Sequence, residues 1–382
     1  MTGGVAAYKS VELARRLRDA EASVTAVMTE ASERFITPLS LETATGKKVF
    51  RSFDQDPTAH IRLPSESDLL IIAPATANSI AKFALGIADD FLSTCVLAST
   101  GKKLLIAPAM NSRMYENPAF RRNLDQLLSF GALQVGPGEG ALACGTEGIG
   151  RMAEVPEIIG AAVSALTDKD LSGEKIIVTA GPTREYIDPV RFLSNRSSGK
   201  MGFALARAAR NRGAEVVLIS GPSSQTSPAG VFCRRVETAA EMLNAVRDEV
   251  SSGATILIVA AAVADFAPAS FSDSKIGKEA IGTLPLRRTE DILSSVSAAV
   301  GRPFIVGFSA ETGEATDRAE RKMREKGMDM IVFNNVSEPG AGFDLDTNRV
   351  TVIDPSGKTC LDIMSKDEVA DSIFDRLLKI RA

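Results

Sequence analysis

SGKMGFALARAARNRGAEVVLIS, residues 198–220, is the stretch whose reading decides the fold. A glycine turn leads into an amphipathic helical segment, which gives way to a continuous Val/Ile/Leu run. The same order occurs at residues 2–28, as TGGVAAY, SVELARRLRDA and the β-rich SVTAVM. Each half then alternates short apolar runs with helical segments. LLIIAP, KLLIAPAM and ALQVG follow in the first half, and TILIVAAAVAD, PFIVGF and DMIVFN in the second. Continuous apolar runs separated by helices predict buried parallel strands, hence two Rossmann-like α/β domains.

A chain of 382 residues exceeds one typical core, in agreement with two domains. The polar stretch TDKDLSGEK separates them, giving domains over 1–166 and 175–382 with a linker at 167–174. A phosphate-cradling glycine turn normally follows a strand, yet TGG opens at residue 2. The expectation is that the first strand of the first domain is missing from the chain. A net charge of −4, with no basic block, argues against a nucleic-acid partner. No run approaches a membrane span and no secretory signal is visible, so the expected setting is the cytoplasm. Cys95, Cys144, Cys233 and Cys360 lie far apart, and His60 is the only histidine. That pattern disfavours a Cys/His zinc site and suits reduced thiols.

Four segments of the first half fall where strands should end, the usual ligand edge of such a sheet. They are TGGVAAYKS (2–10), PATAN (74–78), PAMNSRMYENP (108–118) and ALACGTEGIGRM (141–152), with HIRL between the first two. Together they resemble the flavin-dependent cysteine decarboxylases. In the second half, AGPTREYIDPVRFLSNRSSGKMG (180–202), AAAVADF, SKIGK, VGFSAET and KMREKGMDMIVFNN resemble phosphopantothenate–cysteine ligase. The whole chain therefore resembles the bifunctional coenzyme A biosynthesis flavoproteins of bacteria, in which a phosphopantothenoylcysteine decarboxylase is fused to that ligase.

The resemblance implies roles for particular residues. Loss of CO₂ from a cysteinyl carboxylate leaves a carbanion without an electron sink, which a flavin supplies. His60 is expected near the thiol and flavin, Asn111 with Met110 at the carboxylate, and Cys144, in a glycine-rich flap, as the final acid. Helix capping is the plain alternative for Asn111. FMN is expected rather than FAD, held by Gly3, Gly4 and Thr29 near its phosphate, with Phe35 on the ring and Thr76 and Asn78 at its edge. In the second half, CTP with Mg²⁺ is expected to activate the carboxylate as an acyl-cytidylate. Lys275, Lys322 and Lys326 would meet the phosphates, the last two sharing a helix face at i, i+4. The nucleotide would also lie against Val259, Ala260, Ala261, Asp265, Phe308 and the run Glu290, Asp291, Ile292 and Leu293. Asn195 would hold the acyl-cytidylate and Arg191 the substrate phosphate. The metal would arrive with the CTP phosphates, its protein ligands being unknown. Ligase-domain dimers, with higher assembly through the decarboxylase domain, are further implied.

Three residues depart from the family pattern: Pro64 after HIRL, Thr146 in the flap, and Asn335 after Asn334. An electron-transfer flavoprotein or an inactive relative of the same fold would not need PAMN together with His60 and Cys144. A nicotinamide dehydrogenase is disfavoured by the absence of G-x-G-x-x-G followed by an acidic residue.

Overall fold

The computed structural model describes every residue except 142–144, 146, 278–282, 300, 314–315, 339, 341, 343 and 382. The chain separates into two compact units, Met1–Thr167 and Asp168–Ala382. Cys144 and Thr146 lie outside the described residues.

The first unit holds a parallel sheet of Leu69–Ala75, Lys103–Pro108 and Leu133–Gln134, in that order. Its polar turns set the helices that follow. Thr76 caps Ala77–Leu85, Asp90 forms a capping box on Phe91–Leu97, and Asn117 with Pro118 starts Pro118–Ser129. Residues 23–28 do not form the predicted strand; only Val27 makes a bridge, to Phe50. A strand needs a ladder along its length, and here the backbone contacts are isolated ones. Met1 donates its amino group to the Val27 carbonyl at 2.8 Å and accepts from the Thr29 N–H at 3.2 Å. Thr2 reaches across to the Pro74 carbonyl. These hydrogen bonds satisfy single backbone groups without forming a ladder.

The second unit is built on an eight-stranded sheet. Its order is Phe232–Arg235, Glu215–Ser220, Lys175–Ala180, Ile256–Val259, Phe304–Glu311, Met330–Asn335, Thr351–Asp354 and Gly357–Cys360. The first six pair in parallel and the last two antiparallel. In chain order this is the doubly wound arrangement, with its switch point between Lys175–Ala180 and Ile256–Val259. Apolar clusters fill both faces, one around Phe203 and Phe374 and the other around Met242 and Leu257.

Where a dinucleotide-binding fold passes directly from first strand to first helix, this chain inserts residues 181–199. The insertion carries a hairpin of Arg184–Tyr186 with Phe192–Ser194 before the helix Lys200–Asn211 begins. The glycine signature is thereby split. Gly199 caps the helix with φ +80°, and Gly202 lies where a Cβ would fall 2.5 Å from the Ala180 Cβ. Helix and strand approach so closely that only glycine fits there.

Candidate active sites

A cleft of about 850 Å³ opens in the first unit. Gly3, Gly4, Thr29, Thr76, Asn78, Met110 and Asn111 all line it. The two glycines precede the short helix Val5–Ala7 and the helix Tyr8–Asp19, so their amides stand at a helix start. Thr29 Oγ1 is buried and has no hydrogen-bond partner among the described residues. A buried hydroxyl left in this state is costly, and a cofactor atom in the cleft would satisfy it. Asn111 does cap the short helix Ser112–Tyr115, its Oδ1 accepting from the Arg113 N–H at 2.9 Å, while it also forms cleft wall. The Met110 N–H donates to the Gly150 carbonyl at 2.9 Å, and a Cβ on Gly150 would lie 2.1 Å from the Met110 carbonyl oxygen. The base of the flap hairpin, Gly138–Ala141 with Glu147–Arg151, is thus fastened to the PAMN segment.

Two expected residues stand away from this cleft. Phe35 is 47% exposed and is not among the lining residues. His60 lies on the helix Ala59–Glu66, which contains Pro64, and packs edge-on against Phe53. It too is not among the lining residues, and its Nδ1 is buried without a partner among the described residues. Conversely, the cleft contains charged groups that the sequence reading missed. Lys9 is nearly buried and pairs with Glu154 at 2.9 Å, and Lys82 bridges Asp89 and Asp90. Burial pushes the Asp90 carboxyl up, but the Lys82 ammonium and the Ser93 donors outweigh this and hold it below its ordinary range.

The second unit's cleft, about 650 Å³, lies over the carboxyl ends of its central strands beside the switch point. Val259, Ala260, Ala261, Asp265 and Phe308 line it, as do Glu290, Asp291, Ile292 and Leu293. Lys322 and Lys326 line it as well, from the helix Thr316–Glu325 and the residue just beyond it. Lys326 pairs with Asp291, which also caps Ile292–Ser297. Lys322 has no ion-pair partner among the described residues, although Glu311, Asp265 and Asp291 exert a favourable field on it. Burial, and then the Lys326 charge, draw the Lys322 ammonium below its usual range. An anion entering the cleft would offset both effects by its attraction for the ammonium. Among the described residues no group of three or more His, Cys, Asp or Glu is placed to hold a metal ion.

Asn195 is not among the cleft-lining residues, but its Nδ2 donates to the carbonyls of two that are, Val263 at 2.9 Å and Ala262 at 3.4 Å. Lys275 is exposed and is not among the cleft-lining residues. Arg191 is not among them either: its guanidinium is engaged by the buried Asp188 and by the Ile276 carbonyl. Lys200, Arg288 and Lys366 line the cleft without having been singled out in the sequence. The context of Lys200 in SNRSSGK was a usable signal. Lys366, at the start of the last helix Lys366–Arg381, offered none.

The Flavoprotein family profile matches residues 1–167, and the profile of the DNA/pantothenate metabolism flavoprotein C-terminal domain matches residues 171–380. The chain is 43% identical over 383 residues to the coenzyme A biosynthesis bifunctional protein CoaBC of Vibrio cholerae, covering 98% of this chain and 95% of that one. It is 44% identical over 387 residues to the protein of the same name from Bacillus subtilis, covering 99% and 95%. The chain belongs to the CoaBC family of bifunctional coenzyme A biosynthesis proteins. A crystal structure of the C-terminal domain of a CoaBC protein matches 56% of this chain and 98% of its own length, with 38% identity and a TM-score of 0.48. In CoaBC terms, the first cleft lies in the flavoprotein half and the second in the pantothenate-metabolism half.

Proposed function

We propose that the chain catalyses two consecutive steps of coenzyme A biosynthesis. The second half joins 4′-phosphopantothenate to L-cysteine at the expense of CTP. The first half decarboxylates the resulting 4′-phosphopantothenoylcysteine to 4′-phosphopantetheine. The observation that supports this reading is that each family-matched half contains its own charged cleft at the strand ends.

In the ligation, a carboxylate oxygen attacks the α-phosphorus of CTP and pyrophosphate leaves. The cysteine amine then attacks the acyl-cytidylate and releases CMP. Lys322 and Lys326 line the space the triphosphate would occupy; the Lys322 charge would meet the leaving group directly, and Lys326 would do so by exchanging Asp291 for a phosphate oxygen. Phe308 offers a face for the cytosine, and Asn195, hydrogen-bonded to the lining residues Ala262 and Val263, would hold the acyl-cytidylate while the amine attacks. Mg²⁺ would enter with the triphosphate.

The first cleft fits FMN through the amides of Gly3 and Gly4, the orphaned Thr29 hydroxyl, and the Thr76 and Asn78 edge. When bound, the flavin supplies the electron sink that the cysteinyl carbanion lacks. Asn111 would orient the substrate carboxylate, and Cys144 would donate the last proton. His60, displaced from the cleft within one chain, would reach it from a second copy. Phe53 and Ile61 are exposed beside it, and Val190, Phe192, Phe266 and Phe271 are exposed on the second unit. These surfaces support oligomers formed through both halves. No helix among the described residues is long and apolar enough to cross a membrane, and the free thiols of Cys95, Cys233 and Cys360 suit a reducing cytoplasm.

The test uses the purified full chain with 4′-phosphopantothenate, cysteine, CTP and Mg²⁺, following pyrophosphate, CO₂ and the visible absorbance. Stoichiometric pyrophosphate and CO₂ with a flavin spectrum are expected. Pyrophosphate without CO₂ would overturn the first-half assignment, and absence of pyrophosphate would overturn the second.

A further inference from the structure

Asp188 is a fully buried carboxylate outside both clefts. It accepts from the N–H groups of Val190 at 2.9 Å and Arg191 at 2.8 Å, which closes its own turn. It also accepts from Arg191 Nε at 2.9 Å and from the Ile276 N–H at 3.2 Å. Arg191 in turn donates from Nη2 to the Ile276 carbonyl, and the Ser272 N–H donates to the Ile187 carbonyl at 3.1 Å. Residues 272–276 are therefore stitched to the turn 187–191 at three points, and Ile276 is held through both of its backbone polar groups. Burial alone would push the Asp188 carboxyl up. The Val190, Arg191 and Ile276 N–H groups, with the Arg191 guanidinium, overcome it and hold the carboxyl at about 2. The clamp therefore carries a full charge throughout the neutral range.

Lys275 precedes Ile276, and its own side chain is exposed. A long, flexible ammonium loses considerable rotamer and backbone freedom when it must act at one place, so fixing the adjacent peptide removes part of that cost beforehand. We infer that Asp188 is a positioning residue for ligation: through Arg191 and Ile276 it fixes the segment from which Lys275 reaches the CTP phosphates. The inference rests on the role that the family resemblance implies for Lys275, whose exposed side chain is not among the cleft-lining residues. It gives the buried Asp188–Arg191 pair a role separate from substrate-phosphate binding.

The near-isosteric Asp188→Asn variant of the full chain removes the charge and one acceptor, and Arg191→Lys removes the fork that spans Asp188 and Ile276 while keeping a cation. Both should speed tryptic cleavage of the Lys275–Ile276 bond at least tenfold, located by mass spectrometry, with other sites unaffected. Acyl-cytidylate formation should fall about tenfold in each single variant, chiefly in kcat. In a Lys275→Gln background, Asp188→Asn should change it less than twofold, because the two act as one unit. Unchanged cleavage at Lys275, or additive losses in the double variant, would overturn the inference. If Lys275→Gln forms the acyl-cytidylate normally, the role of Lys275 fails and the positioning role fails with it. The cleavage assay would then report separately on whether the clamp exists.

Discussion

Substituting Gly202 by alanine adds one methyl group where helix Lys200–Asn211 crosses the first strand of the second unit. The new Cβ would lie 2.5 Å from the Ala180 Cβ, 2.9 Å from the Thr179 carbonyl oxygen and 3.0 Å from the Ala180 Cα. Two of these three neighbours belong to the backbone of a central strand and cannot rotate away. Overpacking of this kind costs about 1–3 kcal/mol, and rigid neighbours put it near the upper end. Alanine's better helix propensity returns about 1 kcal/mol, so the clash wins by about 2 kcal/mol. Hydrogen exchange measures the result locally: amides of Lys175–Ala180 that open with the second unit should exchange about 30-fold faster. The same displacement moves Gly199–Gly202 at the cleft wall, so ligation should fall while decarboxylation of supplied 4′-phosphopantothenoylcysteine stays normal. Gly160→Ala is the matched control. That glycine lies in helix Val155–Leu166, where a Cβ meets nothing within 4 Å, and alanine there should stabilise the first unit by roughly 0.5–1 kcal/mol. Unchanged exchange in Lys175–Ala180 together with normal ligation in Gly202→Ala would refute the close-approach argument.

Thr29→Val removes the orphaned hydroxyl while keeping its shape, and should weaken flavin binding about five- to tenfold in a fluorescence titration; unaltered affinity would show that the hydroxyl does not meet the cofactor. Lys322→Met should reduce acyl-cytidylate formation by about 10²–10³, read by trapping with labelled CTP. The lowered pKa of Lys322 also gives two opposite pH effects. Because the folded chain binds that proton less readily than the unfolded chain, this lysine's contribution to stability grows as pH rises from its folded value toward the ordinary lysine value. If ligation uses the Lys322 cation as proposed, it should fall over the same rise, and Lys322→Arg should move the alkaline limb upward; an unmoved limb would exclude Lys322 as its origin. Cys144→Ser should release CO₂ yet yield an unsaturated, oxidised product, and normal 4′-phosphopantetheine from this variant would remove Cys144 from the acid role.

The sequence alone determined the alternation of buried apolar runs and amphipathic helices, and with it two α/β halves and their polar junction. It also placed most of the candidate residues at strand ends, since Thr76, Asn111, Val259 and Phe308 stand where a run stops or a strand meets its cleft. Side-chain period and spacing specify which face of an element is buried, because they are properties of one element at a time. They do not specify which elements meet. Only the tertiary structure brought Lys9 against Glu154, Lys82 against Asp90, and Lys366 into a cleft with Lys200. It also withheld a ladder from residues 23–28, of which only Val27 makes a bridge. In the same way it kept His60 off the cleft that its motif suggested and turned Arg191 toward Asp188. A guanidinium in a motif can bind a ligand's anion or one of the protein's own. That choice was decided by a buried carboxylate three residues away, whose charge had no water to solvate it and required a partner.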